Sequence, residues 1–121
     1  MKKLFTAAAA LGLAACAGSP APADAPRRQA RVCVTNEGYA LISVQFRQRD
    51  ASAVTFRAVT PGLTECRRVM LGNAGAVVFV ESGDQRDETI DVGLVRPGNT
   101  LAVTVPRSIA QTRVMEYQEG R

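Results

Sequence analysis

The chain has 121 residues, 15 of them basic and 11 acidic, with three cysteines and neither histidine nor tryptophan. The absence of histidine removes the usual general base and the commonest nitrogen ligand for zinc, and the only lysines, Lys2 and Lys3, stand at the extreme N-terminus. A net charge of +4 is too mild for a nucleic-acid footprint, since the arginines alternate with apolar residues, as at Arg47, Arg49 and Arg57.

The first element stands apart from the fold. Met1, Lys2 and Lys3 form a positive n-region, and an apolar run follows from Leu4 to Ala15. A spanning helix needs roughly 20 apolar residues, whereas a signal-peptide h-region runs about 7 to 15 and closes on small residues. Residues 1–15 are therefore expected to be an export signal. It runs into Leu13-Ala14-Ala15-Cys16, an aliphatic residue, two small ones and a thiol.

These four residues resemble the lipobox of bacterial lipoprotein precursors. The resemblance implies that a diacylglyceryl group is joined to the Cys16 sulfur, that cleavage falls just before it, and that the new amino group is acylated too. It also implies lipid anchoring in the outer membrane, facing the periplasm. The residue after the cysteine is Ala17, not the Asp that commonly retains such lipoproteins in the inner membrane. One acyl chain holds marginally and two hold stably, each buried methylene contributing about 0.8 kcal/mol. Ala15-Cys16-Ala17 also satisfies the small-x-small rule of ordinary secretory cleavage, a reading that would discard Cys16.

Residues 16–30 read as anchor and linker, with Pro20, Pro22 and Pro26 among alanines and small polar residues. Such a stretch favours extended chain at about 3.1 Å per residue, a tether of roughly 40 Å at most. Arg27 and Arg28 are within reach of anionic head groups, although such pairs are ordinarily solvated linker charges.

Residues 31–121 are one domain's worth of chain. A domain this small buries only about 60% of its unfolded surface, so a covalent staple helps it. Setting Cys16 aside leaves Cys33 and Cys66, an even pair that reads as a disulfide in an oxidising compartment. No Cys-x-x-Cys is present to suggest redox chemistry.

Strand periodicity runs throughout. Val32 and Val34 define a first strand in RVCVTN, with Cys33 on the opposite face, so the disulfide is expected on the outer face or at a sheet edge. Ile42, Val44 and Phe46 alternate with Ser43, Gln45 and Arg47, and Val54, Phe56 and Ala58 alternate with Thr55 and Arg57. AVVFV, residues 76–80, is apolar on both faces and predicts a central strand. Ile90, Val92 and Leu94 repeat the alternation, as do Leu101, Val103 and Val105. Thr60-Pro61-Gly62-Leu63 and Arg96-Pro97-Gly98-Asn99 place proline and glycine as a type II turn requires. GNAG at 72–75 and SGD at 82–84 predict further reversals.

About seven short strands in such a length indicate an all-β, immunoglobulin-like sandwich, without the tryptophan or the cysteine spacing of antibody domains. The run from RVCVTN to VRPGNTLAVTVP also looks like the small one-domain β-sandwich lipoproteins of bacterial genomes. No functional residue transfers from that resemblance.

Catalysis has little to draw on: no Gly-x-Ser-x-Gly elbow and no Ser-x-x-Lys pair occurs. The one acidic constellation is GDQRDETID, with Asp84, Asp87, Glu88 and Asp91. Calcium would need those oxygens to converge from a loop, and the spacing is not that of an EF-hand. A solvated hairpin loop is the plainer expectation. The expected function is thus a non-enzymatic envelope lipoprotein that offers its sandwich for protein interaction or a structural role, with no cofactor and no nucleic-acid partner. The alternative is a small-ligand or metal-binding accessory protein, enzymatic or not, using residues 84–91.

Overall fold

The apolar alternation resolves into eight strands in the computed structural model, which describes residues 28–118. Cys16 and the lipobox lie outside the described residues. The strands are β1 (Gln29–Asn36), β2 (Ile42–Gln48), β3 (Ala51–Val59), β4 (Thr64–Met70), β5 (Ala76–Ser82), β6 (Gln85–Gly93), β7 (Asn99–Val105) and β8 (Arg113–Gln118). They form two sheets, ordered β4-β1-β7-β8 and β3-β2-β5-β6. Neighbours are antiparallel except β1 and β7, which run parallel. A short 3-10 turn, Ile109–Gln111, precedes β8.

The core lies between the sheets. Val32, Val34, Leu101, Val103 and Val105 face Val44, Phe46, Phe56, Val78 and Val80, and all are buried. Burying each such side chain contributes about 1.5 to 3 kcal/mol. Both proline-glycine turns form as expected. Gly62 and Gly98 take φ of +84° and +85°, where a Cβ would be strained, and Leu63 N–H and Asn99 N–H close the turns onto the Thr60 and Arg96 carbonyls.

The disulfide joins Cys33 and Cys66, which stand directly opposite on β1 and β4 with Cα atoms 4.0 Å apart. It lies on the outer face of its sheet, the side that the valine phase of β1 leaves to the cysteine.

Several expectations shift. β1 begins at Gln29, inside the stretch read as linker, and Ala30 is a core residue. GNAG is a crossing from one sheet to the other rather than a hairpin, since β4 and β5 belong to different sheets. β5 is internal to its sheet, yet its outer face is only half-buried, with the Arg47 guanidinium stacked 4.3 Å from the Phe79 ring centre. Leu94 is exposed and Val95 is buried, because a bulge at Val92 and the φ of +67° at Gly93 reverse the phase that Ile90 and Val92 set.

Ala58 is also exposed, and Val59 takes the core position. Between the pairs Ile42–Val59 and Val44–Phe56, β3 carries one residue more than β2, and the bulge puts Ala58 at φ 51°. Holding an L-residue there costs about 1 to 2 kcal/mol, and glycine avoids the cost. We therefore expect Ala58→Gly to raise the melting temperature by a few degrees and Ala58→Val to lower it, as read by calorimetry. At this domain size 1 kcal/mol corresponds to roughly 4 to 8 °C. A lower melting temperature for the glycine variant would contradict the left-handed assignment.

Candidate functional site

The acidic residues do not form a loop. Asp84 occupies the β5–β6 turn, and Asp87, Glu88 and Asp91 lie along β6. Strand alternation turns Asp91 outward opposite Val77, while Glu88 stands opposite Val80 on the inward side. Asp84 Oδ1 accepts from Ser82 Oγ at 2.7 Å, and Asp91 Oδ1 accepts from Gly93 N at 3.0 Å. Two of the four carboxylates thus serve their own turns. Among the described residues no group of three or more His, Cys, Asp or Glu side chains is placed to hold a metal ion.

The two ends of the sandwich carry more distinctive chemistry. One end gathers the loops 37–41, 60–63, 83–84 and 106–112. Its centre is Asn36, fully buried at the end of β1. Asn36 Nδ2 donates to the Ala40 carbonyl at 2.9 Å and the Val59 carbonyl at 2.8 Å, and Oδ1 accepts from Gly38 N at 2.9 Å. Its backbone binds the Gly62-Leu63 turn, and Glu37 N–H reaches the Val105 carbonyl. Gln85 fixes the last loop, donating to the Arg107 carbonyl and accepting from Ile109 N.

On this rigid frame stand three exposed apolar side chains: Tyr39 (74% exposed), Leu41 (57%) and Leu63 (52%). The Arg107 guanidinium stacks 4.4 Å from the Tyr39 ring centre, which holds the ring in place. The Arg113–Glu37 pair, 3.9 Å apart and solvated on both sides, adds little. Tyrosine and arginine are enriched at interface centres, and pre-fixed loops lower the ordering cost of binding. Sequence reasoning missed these residues because lone apolar side chains in turn segments look like ordinary packing residues.

The opposite end receives the linker. Arg28 does not remain a free linker charge: its Nη2 donates to Asn73 Oδ1 at 2.9 Å, and its carbonyl accepts from Leu71 N. Gln48 and Asp50 meet the 72–74 crossing from the other sheet, with Gly72 N on Gln48 Oε1 at 2.9 Å and Asn73 N on Asp50 Oδ2 at 2.7 Å. A Cβ on Gly72 would overlap the Asp50 carboxylate, so any larger residue there must displace that carboxylate from the Asn73 amide. The Asn73 N–H above all holds the Asp50 carboxyl below its ordinary range. A depressed carboxylate stabilises fully above its unfolded pKa, and the contribution is lost as pH falls through the folded value. Beside this crossing lies a cleft of about 520 Å³ between Arg28, Leu71, Leu94, Val95, Arg96 and Pro97.

No protein-family model and no curated protein matches this chain.

Proposed function

We propose that the chain is a lipid-anchored protein of the outer membrane, facing the periplasm, that presents its β-sandwich for protein interaction and carries out no catalysis. The observation that carries this reading is the set of exposed Tyr39, Leu41 and Leu63 on locked loops, at the end away from the linker. Strands of this length separate the two ends by about 25 Å. A tether entering at one end leaves the other free to meet a partner. The acidic strand supports the ligand-binding alternative less well, since its carboxylates diverge or are engaged by their own turns.

Two measurements test the proposal. Cys16→Ser is expected to release the protein from the detergent phase of a membrane extract, because a hydroxyl does not replace the thiolate in forming the thioether. A variant that stays acylated and membrane-bound would refute the anchor. A photocrosslinker at position 39 in intact cells is expected to give one discrete adduct that Leu41→Asp abolishes. An identical adduct in that variant would refute the interaction surface.

A further inference from the structure

The linker-proximal end is rich in guanidinium. Arg28 and Arg96 line the cleft described above, and Arg49 stands exposed on the adjoining β2–β3 turn. On the outer face, close to the same end, Arg31 of β1 lies directly opposite Arg68 of β4. Among the described residues the carboxylates near this end are Asp50, held by the Asn73 and Ala74 amides and close to the Arg28 guanidinium, Asp91, which accepts from Gly93 N, and Glu116, which accepts from Arg96 N and Asn99 Nδ2. Between the arginines Leu94 projects, 67% exposed, on the bend after Gly93. Arginines flanking an exposed leucine suit the boundary between phosphate head groups and acyl chains.

What covers this end follows from the covalent chain. Residues 17–27 join Cys16 to Arg28 and reach roughly 34 Å when extended. A domain on so short a tether meets its own membrane at high effective concentration, and this is the end that the tether draws toward it. We propose that the linker-proximal end docks on the anionic head groups of the bilayer that holds the anchor, with Arg28 and Arg96 on lipid phosphates and Leu94 at the acyl boundary. The proposal rests on the lipid-anchor reading, and it points Tyr39, Leu41 and Leu63 away from the membrane.

The test uses the whole mature chain carrying Cys16→Ser, without lipid, in vesicle co-sedimentation at low salt. Binding is expected to vesicles of equimolar phosphatidylglycerol and phosphatidylcholine and not to phosphatidylcholine alone, and to fade with added salt. Arg28→Gln with Arg96→Gln is expected to weaken it at least about tenfold. Leu94→Asp should weaken it as well, both variants staying folded at the assay temperature by circular dichroism. Equal binding to both vesicles, no binding to either, or unchanged binding of the arginine variant overturns the docking. Competition by free glycerol phosphate at matched phosphate concentration, or preference for DNA over vesicles, overturns it too. The mass of Cys16 in membrane-isolated wild type reads the anchor separately. Acylated Cys16 with failed vesicle binding refutes docking alone, and unmodified Cys16 with salt-sensitive vesicle binding refutes the anchor alone.

Discussion

Asn36→Ala is expected to lower the unfolding free energy by about 3 kcal/mol, because each buried polar group left without a partner costs about 1 to 3 kcal/mol. The substitution removes the side-chain partner of the Ala40 and Val59 carbonyls and of the Gly38 N–H together, the bond to Val59 buried and the other two part-buried. Asn36→Asp keeps the shape and inverts the chemistry, setting a carboxylate against two carbonyl oxygens. Burial raises the pKa of that carboxyl in the folded state, so its penalty is complete above the folded pKa and absent below the unfolded one. The aspartate variant should therefore regain stability as pH is lowered from 7 toward 5, while the alanine variant does not. Urea midpoints at the two pH values decide the matter, and a loss under 1 kcal/mol for alanine would mean that Asn36 is not the tie described here.

Removing the disulfide has a comparable effect by a different route. Cys33→Ala with Cys66→Ala should cost about 2 to 4 kcal/mol, the loop-closure entropy of the unfolded chain for a sequence separation of 33. The closed loop contains β2 and β3, which belong to the other sheet, so the bond restrains both layers in the unfolded state. Because the bridge lies on the outer face, its loss opens no cavity in the core, and serine should behave like alanine at both sites. Denaturation of wild type with and without reductant should reproduce the difference. Free thiols at both positions in protein isolated without reductant would contradict the bond.

The strands that were legible in the sequence are those with one clean buried face, such as Ile42-Val44-Phe46 and Leu101-Val103-Val105. The phase of Cys33 against Val32 and Val34 likewise placed the disulfide on the outer face. β4 and β8 were not legible because they bury too little, whereas β3 and β6, sheet edges as well, bury or half-bury more than one apolar residue each. β4 buries only Val69, and β8 half-buries only Val114, so neither shows alternation. Ala58 and Leu94 were misplaced for a local reason: each bulge inserts one residue, and with a period of two a single insertion exchanges inside for outside. Asn36 closes the first strand in RVCVTN, but nothing in the sequence joins it to Val59, which only the folded chain brings beside it and the 38–40 turn. The exposed loop residues and the arginine-lined end are surface properties assembled from distant positions, which periodicity does not report.

The parallel pairing of β1 with β7 has a bearing on how the chain matures. Arg31 is matched with Thr100 and Asn36 with Val105, so the first strand to emerge from any N-terminus-first delivery acquires its central neighbour only when nearly the whole chain has followed. Contacts that distant slow folding, since the intervening chain must be closed before they form. Until then β1 is a valine-rich strand with one side unpaired, exposed to aggregation. Its other side, against β4, is complete much sooner, and Cys33 and Cys66 face each other there. Oxidation of that pair can lock the half-built sheet while β7 is still awaited. A vectorially delivered chain would thus gain more from the bridge during its assembly than the finished domain does at equilibrium.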